Sequence, residues 1–129
     1  MKRLAYLVLG LLGAGLAVAA VVTQHSSWWQ LAVFAIAPDL ALVYGAAPGL
    51  ARGQLHPRAV PIYNAVHRFW APAALVAVGL ATGPGWLAGG LAWVAHIAFD
   101  RSLGFGLRTP EGFQRDVASR AASDVRDRS

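Results

Sequence analysis

The sequence predicts an all-α fold, a bundle of four transmembrane helices that run up-down-up-down with both termini in the cytoplasm. Hydrophobic residues make up 57% of the 129 residues and charged residues only 13%, whereas an ordinary soluble domain carries roughly 25% charged residues. The mean hydropathy is +0.49. Between the clustered charges lie four apolar stretches of about 20 residues, the length at which an α-helix crosses a hydrocarbon core of roughly 30 Å. These observations together predict one short membrane domain.

The same composition excludes several classes of protein. The chain contains no cysteine, which rules out a disulfide scaffold and thiolate-bound zinc or iron–sulfur clusters. Intrinsic disorder requires low hydrophobicity and high charge, the reverse of what is found. The net charge of +5 would suit a nucleic-acid partner, but no basic stripe with interleaved aromatic residues is present. We therefore expect no nucleic-acid partner and assign the basic residues to membrane topology and the anionic leaflet.

The four apolar stretches are the predicted elements in chain order. The spans are expected at residues 4–23, 28–46, 61–81 and 86–107. They form a transmembrane domain at residues 1–107, followed at 108–129 by a charged cytoplasmic tail in which Arg alternates with Asp and Glu. Pro38 and Pro72 remove helix hydrogen bonds and predict kinks in the second and third spans.

The first stretch has a second interpretation, as a signal peptide. Lys2 and Arg3 precede it, and the small residues at 17–19 resemble a cleavage site. The apolar run continues to Val22, beyond the roughly 7–15 residues of a signal peptide's apolar region, and this length favours a retained span. Whether residues 1–19 are removed stays open.

The distribution of Lys and Arg predicts the orientation of the bundle. The turns at 24–27 and 82–85 contain neither residue type, whereas the amino terminus, the loop at 48–60 and the tail all do. By the positive-inside rule the termini and this loop are cytoplasmic. The lipid bilayer is the expected environment, and the 14 glycines allow close helix approach, so pairing into a homo-oligomer is a further expectation.

Ionisable residues inside the predicted spans indicate a functional or structural role, because a charge near the bilayer centre costs at least about 2.5–3.5 kcal/mol. Helix rise places Asp39 about 10 Å, His67 about 9 Å and Asp100 about 10 Å from the inner ends of their spans. His96 lies one turn deeper than Asp100 on the same helix face. Three helices are therefore predicted to bring these four side chains to one depth.

Two carboxylates and two imidazoles at one depth suit three functions, and the sequence leaves all three open. Imidazole nitrogens and carboxylate oxygens are ligands for zinc, manganese or ferrous iron. A His/Asp chain in a wet cavity also relays protons or ions. Alternatively, Asp39 and Asp100 neutralise Arg68 and Arg101 in a structural network that holds the helices in register.

The leading hypothesis is a divalent-metal site for hydrolysis of a lipid-like substrate. Asp39, His67 and Asp100 are the expected ligands, and His96 is expected to act as a ligand or as the catalytic general base. The residues expected to orient them are the neighbouring polar side chains Tyr63, Asn64, Arg68 and Arg101. The rival hypothesis is a non-enzymatic protein, either a proton, ion or small-ligand carrier or a structural subunit. No polar residues continue outward past His96, which counts against a path across the membrane.

Three groups of residues carry a family resemblance. They are Ser27-Trp28-Trp29 with Ala37-Pro38-Asp39-Leu40, then Tyr63-Asn64-x-x-His67, and then His96-Ile97-x-x-Asp100-Arg101-x-Leu103-Gly104-Phe105-Gly106-Leu107. With them the chain resembles an uncharacterised bacterial family of small integral membrane proteins, domain of unknown function 4260. The resemblance extends roughly from the first span to Phe113 and implies a multi-pass protein of the bacterial cytoplasmic (inner) membrane, with no established reaction. One departure is Val117, because relatives tend to carry a histidine after the preceding aspartate.

Overall fold

The computed structural model describes residues 2–26 and 28–115, and this part of the chain is helical. The helices in chain order are α1 (Lys2–Thr23), α2 (Trp29–Ile36), α3 (Leu40–Tyr44), α4 (Val60–Val66), α5 (Trp70–Thr82) and α6 (Pro84–Ser102). Two short 3-10 turns lie at Ala37–Asp39 and Pro57–Ala59. The described residues form no β-strand, only an isolated bridge between Arg108 and Gln114. The predicted all-α class is confirmed.

Helix α6 lies at the centre, and α1, α2 and α5 each pack along it. Its buried face consists mostly of glycine and alanine, and small residues let helix backbones approach closely. At Gly90 a Cβ atom would lie 2.7 Å from the backbone nitrogen of Val76 in α5. The neighbouring helix α1 buries one stripe, Gly10, Gly13 and Ala17, at the spacing of a single helix face.

The second and third predicted spans are both broken in the structure. The 3-10 turn at Ala37–Asp39 separates α2 from α3, because Pro38 supplies no backbone N–H to continue the α-helix. The segment from Pro57 to Val66 and the helix α5 meet at an angle of 42°. This break lies at residues 67–69, before Pro72, which falls in the first turn of α5, where a missing N–H is tolerated.

By length and composition, only α1 among the described helices is long and apolar enough to cross a membrane by itself. The bent pair formed by residues 57–66 and α5 counts as a second span when its two parts are taken together. Signal sequences and buried core helices also satisfy this criterion, and α1 lies at the amino terminus. The four-span bundle and its orientation therefore stay predictions.

The chain after α6 folds back onto the loop that precedes α4. Gly112 accepts a hydrogen bond at its carbonyl from the Leu55 backbone N–H at 2.9 Å, and the Arg115 N–H donates to the Leu107 carbonyl at 3.1 Å. The segment up to Arg115 thus packs against the loop that precedes α4. The rest of the predicted tail, residues 116–129, lies outside the described residues.

Candidate metal centre

The breaks in the second and third predicted spans position two of the four predicted site residues. Asp39 ends the 3-10 turn after α2, and His67 is the residue that terminates α4. His96 and Asp100 come from consecutive turns of α6, so they share a face. The four side chains therefore come from three segments of the chain. Two of these segments, at Asp39 and at His67, are places where a helix ends.

These four side chains lie close enough to share one ion. The His96 Nε2 atom is 3.1 Å from Asp39 Oδ1 and 3.3 Å from Asp100 Oδ2. The His67 Nε2 atom is 3.4 Å from each of the same two oxygens. One ligand atom from each residue lies within 4.8 Å of the other three. Nitrogen and oxygen atoms therefore alternate around a closed four-membered ring of contacts.

The size of the ring suits a first-row divalent ion. Metal–ligand bonds of about 2.0–2.1 Å in a tetrahedral zinc site place neighbouring ligand atoms about 3.3 Å apart. All four N···O separations, from 3.1 to 3.4 Å, agree with that edge length. The two separations across the ring are at most 4.8 Å, and in a flat ring of this size the centre lies about 2.3 Å from each atom, slightly beyond these bond lengths.

The hydrogen bonds of the two histidines fix which nitrogen faces the ring. His67 Nδ1 lies 2.8 Å from the Tyr63 backbone carbonyl and His96 Nδ1 lies 2.7 Å from the Ala35 carbonyl. A carbonyl only accepts hydrogen bonds, so each Nδ1 must carry the proton. When the imidazoles are neutral, each Nε2 presents a lone pair, which is the arrangement that metal-ligating histidines use. When His96 is protonated, its Nε2 donates instead to Asp39 Oδ1 at 3.1 Å.

An ion between the four atoms would resolve an unsatisfied contact. The Nε2 atom of His67 is buried and has no hydrogen-bond partner among the described residues, and its side chain is only 2% exposed. Without a cation, its lone pair faces two carboxylate oxygens, which is repulsive. Without a metal, a protonated His96 donates from Nε2 to Asp39 Oδ1 at 3.1 Å, which still leaves the buried Nε2 atom of His67 without a hydrogen-bond partner. The residues present therefore fit a divalent ion.

Exposure differs across the ring, from buried His67 on one side to Asp39 on the other. The side chain of Asp39 is 46% exposed, that of Asp100 25% and that of His96 10%. A cavity of about 400 Å³ lies between α1, α2 and α6, and Asp39, His96 and Asp100 all contribute to its wall. The rest of the lining is apolar and rich in alanine. The ring is thus reached through an apolar cavity, on the side away from His67.

Neither of the arginines considered as partners contacts the carboxylates. In the described part of the chain, the ion pairs of Asp39 and Asp100 are all with imidazoles. Arg101 instead donates from Nη2 to the His67 carbonyl at 3.3 Å, with its guanidinium over two aromatic rings of α1 and the 67–69 break. Arg68 is exposed. The described contacts thus do not include the Asp–Arg network that the sequence left open.

Tyr63 contacts His67 directly, and Asn64 contacts the chain that follows α6. The Tyr63 ring stacks on the His67 ring with centroids 3.9 Å apart, and its carbonyl holds the His67 Nδ1 proton. Asn64 forms a two-sided clamp on the backbone of Arg108, donating at 3.0 Å and accepting at 2.7 Å. Both residues therefore support the site without belonging to the ring.

Sequence reasoning missed Arg108 and Gln114, which it assigned to the charged tail. The Arg108 guanidinium lies 4.8 Å from the centre of the Tyr63 ring, and buried Gln114 donates to the Tyr63 hydroxyl at 3.4 Å. A turn signal was present, because Thr109-Pro110-Glu111-Gly112 has the proline and glycine of a type I turn. The Gly112 N–H donates to the Thr109 carbonyl at 2.9 Å, which closes that turn.

Comparison with known proteins identifies the family. A family model described as a domain of unknown function (DUF4260) matches residues 6–118. The chain belongs to this family. The match covers all four residues of the ring and the residues that contact them. Val117, where the sequence departs from the histidine expected in relatives, lies outside the described residues. No curated protein and no solved structure matches the chain.

Proposed function

We propose that this DUF4260 protein binds one divalent metal ion, zinc, manganese or ferrous iron, through Asp39, His67, His96 and Asp100. The observation that carries the proposal is the closed ring of four N···O separations between 3.1 and 3.4 Å. The orientation of both Nε2 atoms supports it. His96 is assigned as a ligand rather than a general base, because the Ala35 carbonyl occupies its other nitrogen.

We further propose that the site hydrolyses an ester of lipid-like character. A bound divalent ion supplies Lewis-acid activation of water and of the ester carbonyl. In hydrolysis the oxygen of water bonds to the acyl carbon, the acyl C–O bond breaks, and the proton passes to the leaving alcohol. Asp39, the most exposed of the four, would accept one proton from that water and pass it to the leaving alcohol. The adjoining cavity supplies a place for an apolar substrate.

The setting proposed for this chemistry is the bacterial cytoplasmic membrane, with four spans and both termini inside. The apolar character of α1 and of the bent segment from residue 57 to α5 supports it. The many exposed large hydrophobic side chains on α1, among them Leu4, Leu11 and Leu16, do so as well, because a soluble monomer rarely exposes such a continuous apolar surface.

Metal content tests the proposal directly. The protein is purified, incubated separately with Zn²⁺, Mn²⁺ or Fe²⁺ (the last without oxygen), dialysed without chelator, and analysed for elements beside its His67→Ala and Asp100→Asn variants. We expect about one ion per wild-type chain and at least about tenfold weaker binding in both variants, since even loss of an orienting partner weakens metal sites by that factor.

Two controls make the result specific to the ring. His25→Ala removes an exposed histidine of the first turn, and Arg68→Gln removes the exposed cation nearest in sequence to His67. Both should keep the wild-type metal content. A folded wild-type protein that binds none of the three ions would overturn the proposal and leave the four side chains as an ion-paired network of imidazolium and carboxylate groups.

A further inference from the structure

The cavity beside the ring has one polar end and otherwise apolar walls. Asp39, His96 and Asp100 line the polar end, and alanines from three helices line much of the remainder. Ala14 and Ala17 come from α1, and Val18, which is 43% exposed, lies at its rim. An amphiphilic ligand, with a polar head and an apolar chain, matches this distribution of side chains.

The dimensions of the cavity set the size of that chain. Its lining along α6 runs from Ala92 to Asp100, and along α2 and the 3-10 turn after it from Leu31 to Asp39. Each of these stretches is about 12 Å long at the rise of an α-helix. The volume of about 400 Å³ has room for roughly a dozen groups of the size of a water molecule. One alkyl chain of medium length fits that space, and the two chains of a phospholipid exceed it.

We infer that the cavity binds a single medium-length acyl chain, octanoyl to decanoyl. Its ester or carboxylate head lies beside Asp39, His96 and Asp100, the three members of the ring that line the cavity. The inference names the substrate class of the proposed hydrolase, and its head-group part therefore rests on the proposed function. The acyl carbonyl faces the metal ligands, and the chain extends between α1 and α2 toward Leu31. The product of hydrolysis, a single-chain fatty acid, binds at the same place.

The inference is tested in lipid nanodiscs, because the alkyl chain of a detergent would compete for the cavity. The protein is loaded with Co²⁺, whose visible spectrum reports a change of ligands, and is titrated with acetate and with decanoate. We expect decanoate to change the spectrum at a concentration at least about tenfold lower than acetate, since burial of the chain adds apolar contact.

Matched variants separate chain binding from folding. Ala14→Phe fills the cavity from α1, whereas Ala19→Phe places the same side chain on α1 outside this cavity. We expect the first to abolish the preference for decanoate while retaining Co²⁺, and the second to behave as the wild type. Leu31→Ala enlarges the far end of the cavity, and we expect the variant to bind dodecanoate more tightly than decanoate. A loss of stability would weaken binding of both chains and would not produce this preference.

The outcomes distinguish the two proposals. If Co²⁺ binds but acetate and decanoate have equal effects, or if Ala14→Phe keeps the preference, the acyl-chain site is overturned and the metal site stands. If no metal binds, equilibrium dialysis of radiolabelled decanoate against the protein in nanodiscs, with empty nanodiscs as the blank, still tests the cavity. Loss of decanoate binding in Ala14→Phe but not in Ala19→Phe would support the chain site alone, and wild-type binding no greater than that of empty nanodiscs would overturn it.

Discussion

At the scale of single residues, backbone carbonyls determine what the ring of four side chains binds. His67 Nδ1 contacts the Tyr63 carbonyl one turn earlier in its own helix, and His96 Nδ1 contacts the Ala35 carbonyl of α2, so both Nε2 atoms face the carboxylates. Two neutral imidazoles, two carboxylates and a divalent ion sum to zero charge. A neutral assembly of this kind lowers the cost of placing charged groups among apolar helices.

The clamp between Asn64 and the backbone of Arg108 gives a prediction at the same scale. Asn64→Ala removes two partly buried hydrogen bonds, each worth about 0.5–1.5 kcal/mol. We expect the free energy of unfolding to fall by about 1–3 kcal/mol, measured by thermal or chemical unfolding of the purified protein, and the metal content at saturation to stay near one ion.

Gln54→Ala is the matched control for this clamp. Its side chain also forms two hydrogen bonds, to the Ala51 N–H and the Glu111 carbonyl, but both are exposed, and water replaces them readily. A loss of stability as large as that of Asn64→Ala would contradict the role given to the clamp.

At the scale of elements, the departures from α-helix supply the site. Asp39 and His67 both lie where a helix ends, and their side chains point toward α6 because the chain changes direction there. In two uninterrupted helices, these residues would follow the helical period of their neighbours. Trp93 supports the second break, since its indole N–H donates to the Val66 carbonyl at 2.8 Å and satisfies an acceptor freed at the helix end.

Close packing of α5 on α6 gives a prediction for these elements. Gly90→Ala adds a Cβ atom 2.7 Å from the backbone nitrogen of Val76, and the backbone must move to admit it. We expect a loss of stability of roughly 1–3 kcal/mol. Gly15→Ala, in α1, is the control because no atom lies within 4 Å of the added Cβ.

The control should move in the opposite direction. Replacement of a mid-helix glycine by alanine stabilises a helix by roughly 0.5–1 kcal/mol, so the Tm of Gly15→Ala should rise while that of Gly90→Ala falls. The measurement is thermal unfolding followed by circular dichroism. Equal Tm values for the two variants would show that the approach of α5 to α6 is looser than described.

At the scale of the whole molecule, the distribution of cations predicts orientation in the membrane. The absence of cysteine allows single cysteines to be introduced and labelled on intact cells with a membrane-impermeant maleimide. We expect Gln24→Cys and Gly83→Cys to be labelled from outside and Arg52→Cys to be labelled only after permeabilisation. Labelling of Arg52→Cys alone on intact cells would mean that the orientation is the opposite of the one predicted. Equal labelling at all three positions on intact cells would exclude a four-span protein.

Local patterns in the chain predicted part of the fold and part of the candidate site. Hydropathy and charge spacing predicted the helical class, and helix-rise arithmetic grouped Asp39, His67, His96 and Asp100, which the structure brings within 4.8 Å at one ligand atom each. It did not predict where the third span breaks, because the proline it relied on lies inside the next helix rather than at the bend. It also did not place Arg108 against Tyr63, since a turn signal gives a local conformation but not the surface it packs on.

Local features of the chain predicted the helical class, the grouping of Asp39, His67, His96 and Asp100, and the chemistry of these candidate ligands. These follow from composition and from the fixed rise of the helix, which are local properties. The three-dimensional packing sets which nitrogen of His96 faces the ring, pairs the carboxylates with imidazoles rather than arginines, and forms the alanine-lined cavity beside them. Those features depend on contacts between residues distant in the chain, such as His96 Nδ1 with the Ala35 carbonyl, and no local pattern encodes them.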